Sequence, residues 1–144
     1  MAVGGTDKGK MAKPPTEGRE EKKPDPRREL GQAAERAAAC WLRGRGYEIL
    51  QRNYRCRAGE IDLIARQGGE LVFIEVRSRS RTDFGLPEET VGREKQRRLR
   101  RLAAWYLNET RQPEAPCRFD VVGVLQEKKE PAVAWRFHLY QDAF

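Results

Sequence analysis

The stretch "GEIDLIARQGGELVFIEVRSRS", from Gly59 to Ser80, decides the fold of this chain of 144 residues. Two apolar, strand-forming runs flank Gly68 and Gly69, and a glycine pair between such runs is typical of a two-residue β-hairpin turn. Each run also carries a carboxylate where the pattern favours an apolar residue, Asp62 in the first and Glu75 in the second. The sequence therefore predicts a hairpin whose strands bring two acids into an otherwise apolar element.

The turn sets which residues of the two strands face each other. With Gly68 and Gly69 at the centre of a two-residue turn, Asp62 faces Glu75. Directly opposed side chains have Cβ atoms about 4.5–5.5 Å apart, and like charges at that spacing are destabilising. A divalent cation such as Mg²⁺ compensates such a pair, because one or two carboxylates hold it and its other positions remain for water and phosphate. Glu60, two residues before Asp62, points to the same face and lies within reach of the same ion.

A charge ladder on a solvent-exposed sheet face is the second interpretation of this pattern. In a ladder the acids pair with arginines across the strands, which is the commoner use of alternating charges. The residues of such a ladder are Asp62, Arg66, Glu75 and Arg77. A different loop would also shift the register and move every side chain to the other face. The hairpin by itself leaves both interpretations open.

Two predicted helices carry charged side chains toward the hairpin. Lys95 lies in the middle of the apolar stripe of a helix predicted from about Gly92 to Glu109, where a fourth apolar residue is expected. A lysine in that position needs an anionic partner or must extend to solvent. Glu35 lies at the edge of the apolar stripe of a helix predicted from Glu29 to Arg45. Both side chains are expected to approach the face that carries the two acids.

The remaining segments complete an α/β domain. Strands are predicted in "YEILQRNYRC", "CRFDVVGVL" and "AVAWRFHLY", a turn in "QEKKEP" (126–131) and an irregular loop in "SRTDFGLPEET" (80–90). The order helix, three strands, helix, two strands predicts a mixed central sheet flanked by helices. Residues 1–28 contain almost no large apolar side chains, which predicts a disordered basic tail before a folded domain of residues 29–144.

An excess of basic residues favours an anionic partner. The formal net charge is +7, and the segment "REKQRRLRR" at the start of the second helix has six basic residues against one acidic. Because arginine binds phosphate bidentately, this segment and the arginines after the hairpin predict contacts with a nucleic-acid backbone. The candidate contact residues are Arg79, Arg81, Arg93, Arg97, Arg98 and Arg101.

Several other classes of protein are disfavoured. The longest uncharged apolar stretch, "AAACWL", is far too short to span a bilayer. No hydrophobic signal-peptide region follows the N-terminal lysines. The only histidine is His138, which removes Ser-His catalysis and a His-rich zinc site. We therefore expect a cytoplasmic protein that binds nucleic acid and does not associate with a membrane.

The residues described so far match a known family. The pattern "GQAAERAA…RGYEILQRNYRCRAGEIDLIAR…LVFIEVRSRS…FGLPEETVGREKQRRLRRLAAWYL…RFDVVGV" closely resembles the YraN-like bacterial family of unassigned function. The resemblance implies the restriction-endonuclease-like core of the PD-(D/E)xK nucleases, which is similar to that of Holliday-junction resolvases. It covers about Leu30 to Val124, and "GEIDLIA", "EVR" and "KQRR" in this order carry it.

The resemblance also implies roles for individual residues. Asp62 and Glu75 correspond to the two metal-binding acids of the superfamily. Glu35 resembles the additional glutamate that the first helix contributes in many members. The lysine expected two residues after the second acid is Arg77 in this sequence. Arginine stays protonated, so Arg77 can stabilise phosphate charge but cannot serve as a general base.

The second helix completes the implied site. Lys95 is placed to replace the missing lysine, and Gln96 to orient phosphate or water. The implied function is hydrolysis of phosphodiester bonds in nucleic acid, with Mg²⁺ or Mn²⁺ as the cofactor. The rival is a nucleic-acid-binding module that keeps the nuclease fold without turnover, and Arg77 favours it. DNA and structured RNA both remain open, and cleavage of a junction would require the two active sites of a homodimer.

Overall fold

A five-stranded sheet with one helix on each face forms the centre of the computed structural model. The structure describes residues 25–79, 91–129 and 132–144. Its elements in chain order are α1 (Pro26–Arg43), β1 (Glu48–Cys56), β2 (Gly59–Gln67), β3 (Glu70–Arg79), α2 (Arg93–Glu109), β4 (Cys117–Lys129) and β5 (Ala132–Tyr140). The predicted order of helix, three strands, helix and two strands is confirmed.

The strands follow one another across the sheet in the order β1-β2-β3-β4-β5. β3 and β4 are parallel, whereas the other neighbouring pairs are antiparallel. A parallel pair needs a long crossover connection, and α2 lies in the segment between these two strands. The predicted mixed sheet flanked by helices is therefore confirmed.

The Gly68–Gly69 turn sets the register of β2 and β3 as predicted. The backbone φ angles of the two glycines are +58° and +83°. Successive positive φ angles are what a two-residue hairpin turn requires, and glycine adopts them without strain. Paired residues run from Gln67 with Glu70 to Leu63 with Ile74.

Each face of the sheet has its own apolar core. Val72 and Ile74 of β3 pack with α1 on one face, while Leu71 and Phe73 pack with α2 on the other. We call these the α1 face and the α2 face. The helices bury Ala34, Ala38, Ala39 and Leu42 of α1, and Leu99, Leu102, Ala103, Tyr106 and Leu107 of α2. The predicted apolar stripes thus supply many of the residues that the helices bury. Glu35 and Lys95, which lie at the edge and in the middle of these stripes, are therefore close to the sheet.

The first helix begins earlier than predicted, at Pro26 instead of Glu29. The Asp25 side chain accepts a hydrogen bond of 3.0 Å from a backbone N–H of the first turn, and Pro26 needs no such partner. The helix ends at Arg43, before the predicted Arg45, and Gly44 is its C-cap residue. Residues 25–28 therefore belong to the start of the helix rather than to the tail, and residues 1–24 lie outside the described residues.

The first four residues of the predicted closing turn, 126–129, belong to β4, which continues to Lys129. Residues 126–129 pair with β5, and Glu127 forms an ion pair of 2.9 Å with Arg136 of that strand. Cross-strand pairs of opposite charge stabilise a β-hairpin, which explains why these polar residues extend the strand. The described residues do not include 130–131 or the predicted loop 80–90. Within the described ranges, no helix is both long enough and apolar enough to cross a membrane.

Candidate active site

The main-chain pairing of β2 and β3 ends where the two acids lie. The last pair is Leu63 with Ile74, and Asp62 and Glu75 are the next residues on the two strands. An oxygen of the Asp62 carboxylate accepts a hydrogen bond of 2.8 Å from the backbone N–H of Val76. The carboxylate therefore takes the place of a main-chain acceptor at the end of the ladder.

β2 also departs from strict alternation at Asp62. Ile61 packs in the core of the α2 face and Leu63 in the core of the α1 face. Residues two apart on a regular strand share a face. Asp62 therefore does not follow the alternation of faces along β2. Its carboxylate interacts with Glu75 of β3 and with Glu35 of α1.

Glu35 reaches the same point from α1. Its carboxyl group lies close enough to that of Asp62 for the two groups to interact electrostatically. With its amide nitrogen directed at two carboxylates, Asn53 of β1 donates to Glu35 and Glu60 at 2.8 Å each. Burial, followed by the charge of Glu60, raises the pKa of Glu35 above its ordinary value of 4.5.

Glu75 is buried and receives its countercharge from α2. Only 5% of the residue is exposed, and Lys95 Nζ donates to its Oε1. Arg77 Nε lies 3.6 Å from the same oxygen. This nitrogen is itself buried and has no hydrogen-bond partner in the described part of the chain. The lysine that interrupts the apolar stripe of α2 thus has the anionic partner that the sequence requires.

Asp62 joins the other two acids into what we call the carboxylate cluster, Glu35, Asp62 and Glu75. Burial, followed by the charge of Glu75, raises the pKa of Asp62 to about 8. The cluster has three carboxyl groups, and Lys95 is bound to one of them. The raised pKa therefore favours the protonated form of Asp62 at neutral pH.

One geometric expectation is wrong. Lys95 and Glu35 reach the acids from helices on opposite faces of the sheet, not from one face. The reason is that the β2–β3 ladder has already ended at Asp62 and Glu75, so side chains from both faces reach them. Glu60, expected on the same face, is exposed and lies 3.5 Å from Arg55 Nε.

The contacts of the hairpin acids do not match a charge ladder. Asp62 accepts a hydrogen bond from a backbone N–H and interacts with carboxyl groups, and it forms no ion pair with an arginine in ranges 25–79, 91–129 and 132–144. Arg66 is exposed. Gln96, the other candidate on α2, donates to the Val91 carbonyl at 2.8 Å and so secures the start of the helix.

A metal-holding geometry is absent from the described ranges, where no group of three or more His, Cys, Asp or Glu side chains could hold an ion. Three oxygens of the cluster are already engaged in this arrangement. Lys95 binds Glu75, the Val76 N–H binds Asp62, and the Asn53 amide binds Glu35. Binding of an ion would therefore require these contacts to rearrange.

Comparison with known sequences shows which family has these residues. The model of a family described as uncharacterised, UPF0102, matches residues 34–124, which include all three acids and Lys95. The chain belongs to the UPF0102 family. This confirms the YraN-like resemblance drawn from the sequence.

Relatives within the UPF0102 family are similar over most of their length. A UPF0102 protein of Moorella thermoacetica is 55% identical over 72% of this chain and 87% of its own length. A UPF0102 protein of Symbiobacterium thermophilum is 50% identical over 81% of this chain and 97% of its own. A third, from Caldicellulosiruptor saccharolyticus, is 40% identical over 82% and 98% respectively.

The helix that supplies Lys95 to the cluster also carries exposed arginines in this UPF0102 chain. Arg93, Arg97, Arg98 and Arg101 are all exposed. A groove between α2 and the β1–β2 turn is lined by Ala58, Glu94, Arg97, Arg98 and Arg101. Two other candidates are not described, because Arg81 and the side chain of Arg79 lie outside the described residues.

Sequence reasoning missed a second buried acid, Asp120 of β4, which is fully buried. Tyr47 donates its hydroxyl proton to Asp120 at 2.9 Å, Arg118 Nε donates at 3.1 Å, and the backbone N–H of Asp142 donates at 2.9 Å. An aspartate between the apolar residues of "CRFDVVGVL" was the available signal. The partners come from α1–β1, β4 and the C-terminal segment, so this network joins distant parts of the UPF0102 fold.

Proposed function

We propose that this protein hydrolyses phosphodiester bonds in nucleic acid with the help of a divalent metal ion. The observation that carries the proposal is the convergence of Glu35, Asp62 and Glu75 at the end of the β2–β3 ladder, with Lys95 bound to Glu75. A protein that only binds polyanions has no use for a buried acidic cluster next to its basic helix. An enzyme that positions a cation against a phosphate does.

The chemistry of the donor set fits Mg²⁺ or Mn²⁺. Hard divalent cations prefer carboxylate oxygens, and three carboxyl groups are available here. A bound cation would offset the burial and the charge of Glu75 that raise the pKa of Asp62, because it would supply a countercharge to the Asp62 carboxylate. Asp62 and Glu75 would hold the ion, and Glu35 would assist.

The chain's own residues supply the other parts of the proposed reaction. A bound ion would lower the pKa of a water molecule and polarise the phosphate. Lys95 and Arg77 would stabilise the extra negative charge of the pentacovalent transition state. Arg77 Nε is buried beside Glu75, but the Arg77 side chain as a whole is 32% exposed, so a phosphate oxygen would contact the rest of its guanidinium. Gln96 secures the start of α2 and thereby the position of Lys95.

The second candidate is a nucleic-acid-binding module without turnover. Two observations favour it: arginine replaces the expected lysine at position 77, and Lys95 already neutralises Glu75. In that case the cluster is a structural remnant, and the exposed arginines of α2 carry the function. Both candidates place the protein in the cytoplasm with nucleic acid as its partner, and cleavage of a junction would add a symmetric dimer.

Cleavage assays separate the two candidates. Single-stranded, duplex and branched DNA and RNA are incubated with Mn²⁺ or with EDTA, using the parent protein and the variant Glu75→Gln. We expect metal-dependent cleavage by the parent and its loss in Glu75→Gln. The matched control is Glu48→Gln, which removes an exposed acid from β1 and should cleave like the parent. Binding without cleavage of any substrate would favour the binding module.

We also expect the arginines of α2 to determine the salt dependence of binding. Replacing Arg97, Arg98 and Arg101 by glutamine removes their charge but keeps most of each aliphatic stem. The plot of log affinity against log salt should flatten by about 0.9 per lost phosphate contact on duplex DNA, because fewer counterions are released. Fluorescence anisotropy at several salt concentrations measures this slope.

The control for that experiment has the same change of charge on the other helix. Arg27, Arg28 and Arg43 of α1 are exposed, and α1 packs on the opposite face of the sheet. Their replacement by glutamine should leave the slope close to that of the parent. If both triple variants lower the slope equally, the protein binds through its net charge and not through α2.

A further inference from the structure

The outer surface of α2 carries an exposed tryptophan. Trp105 has 49% of its surface exposed, and with Leu50, at 38%, it makes up the exposed large apolar residues of the described ranges. An indole ring buries 150–250 Å² when it packs fully, so a half-exposed ring on a polar helix leaves a large apolar area in water. Folding of the domain does not explain this position.

The other two tryptophans are packed. Trp41 and Trp135 contact the core of the α1 face. Trp41 also stacks on Phe137, with 4.8 Å between ring centroids, and Arg45 lies over it at 4.7 Å. Within the part of the chain that the structure describes, no ring or guanidinium stacks on Trp105 in this way.

Trp105 continues a row of arginines. Arg93, Arg97 and Arg101 precede it at four-residue spacing, and all four side chains are exposed. Residues four apart lie one above the other on a helix, about 6 Å apart along its axis. The row lies opposite the buried side of α2, which includes Leu99 and Tyr106. Three cations and one aromatic ring thus form a continuous strip on the solvent side of the helix.

We infer that this strip binds single-stranded nucleic acid, with the backbone phosphates on the arginines and an unpaired base stacked on Trp105. The inference rests on the proposed function and specifies its substrate. Lys95, which binds Glu75 in the candidate site, lies ten residues before Trp105, about 15 Å along the helix axis. A single strand that follows the row from the indole therefore runs along the solvent side of α2 toward its N-terminal end, the end that also carries Lys95.

The chemistry of the strip selects this ligand. Guanidinium groups in a row match a polyanion, whereas an apolar protein surface would leave them without partners. In duplex DNA the faces of the bases are covered by their neighbours, so only an unpaired base offers a face to the indole. Aromatic stacking of this kind tolerates any base, and removal of the ring weakens binding by about 5- to 150-fold, which corresponds to about 1–3 kcal/mol.

The test uses binding in EDTA, so that it does not depend on cleavage. The emission of Trp105 is isolated as the difference between the parent and Trp105→Phe, which leaves both packed tryptophans in place. We expect oligothymidylate to quench this difference signal and to protect it from acrylamide. A duplex of the same length and ionic strength should do neither.

Affinity measurements with two variants complete the test. Trp105→Ala should bind oligothymidylate roughly tenfold more weakly, with the salt slope unchanged because no phosphate contact is lost. Trp105→Phe should retain most of the affinity, since a phenyl ring still stacks. Leu50→Ala, the matched loss of an exposed apolar side chain on β1, should bind like the parent.

Three results would overturn the inference. The first is an indole that acrylamide quenches equally with and without bound oligothymidylate. The second is an equal loss of affinity for duplex and single strand in Trp105→Ala. The third is concentration-dependent protection of Trp105 without nucleic acid, which would make the strip a contact between copies of the protein. Failure of cleavage alone would count against the proposed enzyme and leave this binding site in place.

Discussion

Replacing Asp120 by alanine is expected to lower the free energy of unfolding by about 3–5 kcal/mol, a large part of the total stability of a small domain. Asp120 is fully buried and accepts hydrogen bonds from Tyr47, Arg118 and the backbone of Asp142. Its loss leaves the guanidinium of Arg118, whose side chain is only 14% exposed, without its main countercharge. It also removes one of the hydrogen bonds that hold the C-terminal segment to β4.

Urea unfolding, followed by circular dichroism, measures this effect. The control is Asp142→Asn, because Asp142 contributes its backbone N–H to the network and its φ angle of +51° is one that asparagine tolerates. We expect this control to change stability by less than about 0.5 kcal/mol, like most surface substitutions. A loss of under about 1 kcal/mol in Asp120→Ala would show that the network does not anchor the fold.

Replacing Asp62 by asparagine is expected to stabilise the metal-free protein at pH 7–8. The pKa of Asp62 is raised from 3.8 to about 8 by burial and by the charge of Glu75. As pH rises from about 4 to 8, the unfolded chain therefore loses a proton that the folded protein keeps, and stability falls by on the order of 4 kcal/mol at pH 7. Asparagine does not titrate, and its carbonyl still accepts the Val76 N–H while its amide donates to Glu35.

Thermal and urea unfolding across this pH range test the expectation. The parent should lose stability from pH 4 to pH 8, whereas Asp62→Asn should have a flatter profile and be the more stable protein at pH 8. Glu114→Gln, which removes an exposed acid, should follow the parent. An Asp62→Asn variant that is less stable than the parent at pH 8 would contradict the assigned interactions and favour an arginine partner for Asp62.

The same variant tests the proposed metal site. A ligand that binds only the folded protein stabilises it by RT ln(1 + [L]/Kd), about 2.7 kcal/mol at a hundredfold excess over Kd. We expect Mg²⁺ or Mn²⁺ to raise the melting temperature of the parent and to have much less effect on Asp62→Asn. Both proteins should still bind nucleic acid in EDTA. If metal changes neither melting temperature, the proposed nuclease mechanism is wrong.

The sequence by itself determined the elements and their order. The Gly68–Gly69 turn could be predicted because the positive φ angles that it requires favour glycine. This turn sets the register of β2 and β3. The helices could be predicted because their buried residues recur with helical spacing, as Leu99, Leu102 and Tyr106 do. Lys95 was singled out because a charged residue in such a stripe needs a partner. These signals are local, so each depends only on neighbouring residues.

The tertiary structure alone decided how the elements meet. The end of the β2–β3 ladder, the irregularity at Asp62 and the approach of Glu35 and Lys95 from opposite faces depend on contacts between four elements. The Asp120 network likewise needs partners that lie 73 and 22 residues away in sequence. Periodicity indicates which side of a helix or strand is buried, but not which buried polar groups become neighbours. That choice depends on the packing of the whole domain, because a buried acid is stable only where distant segments supply its hydrogen bonds and countercharge.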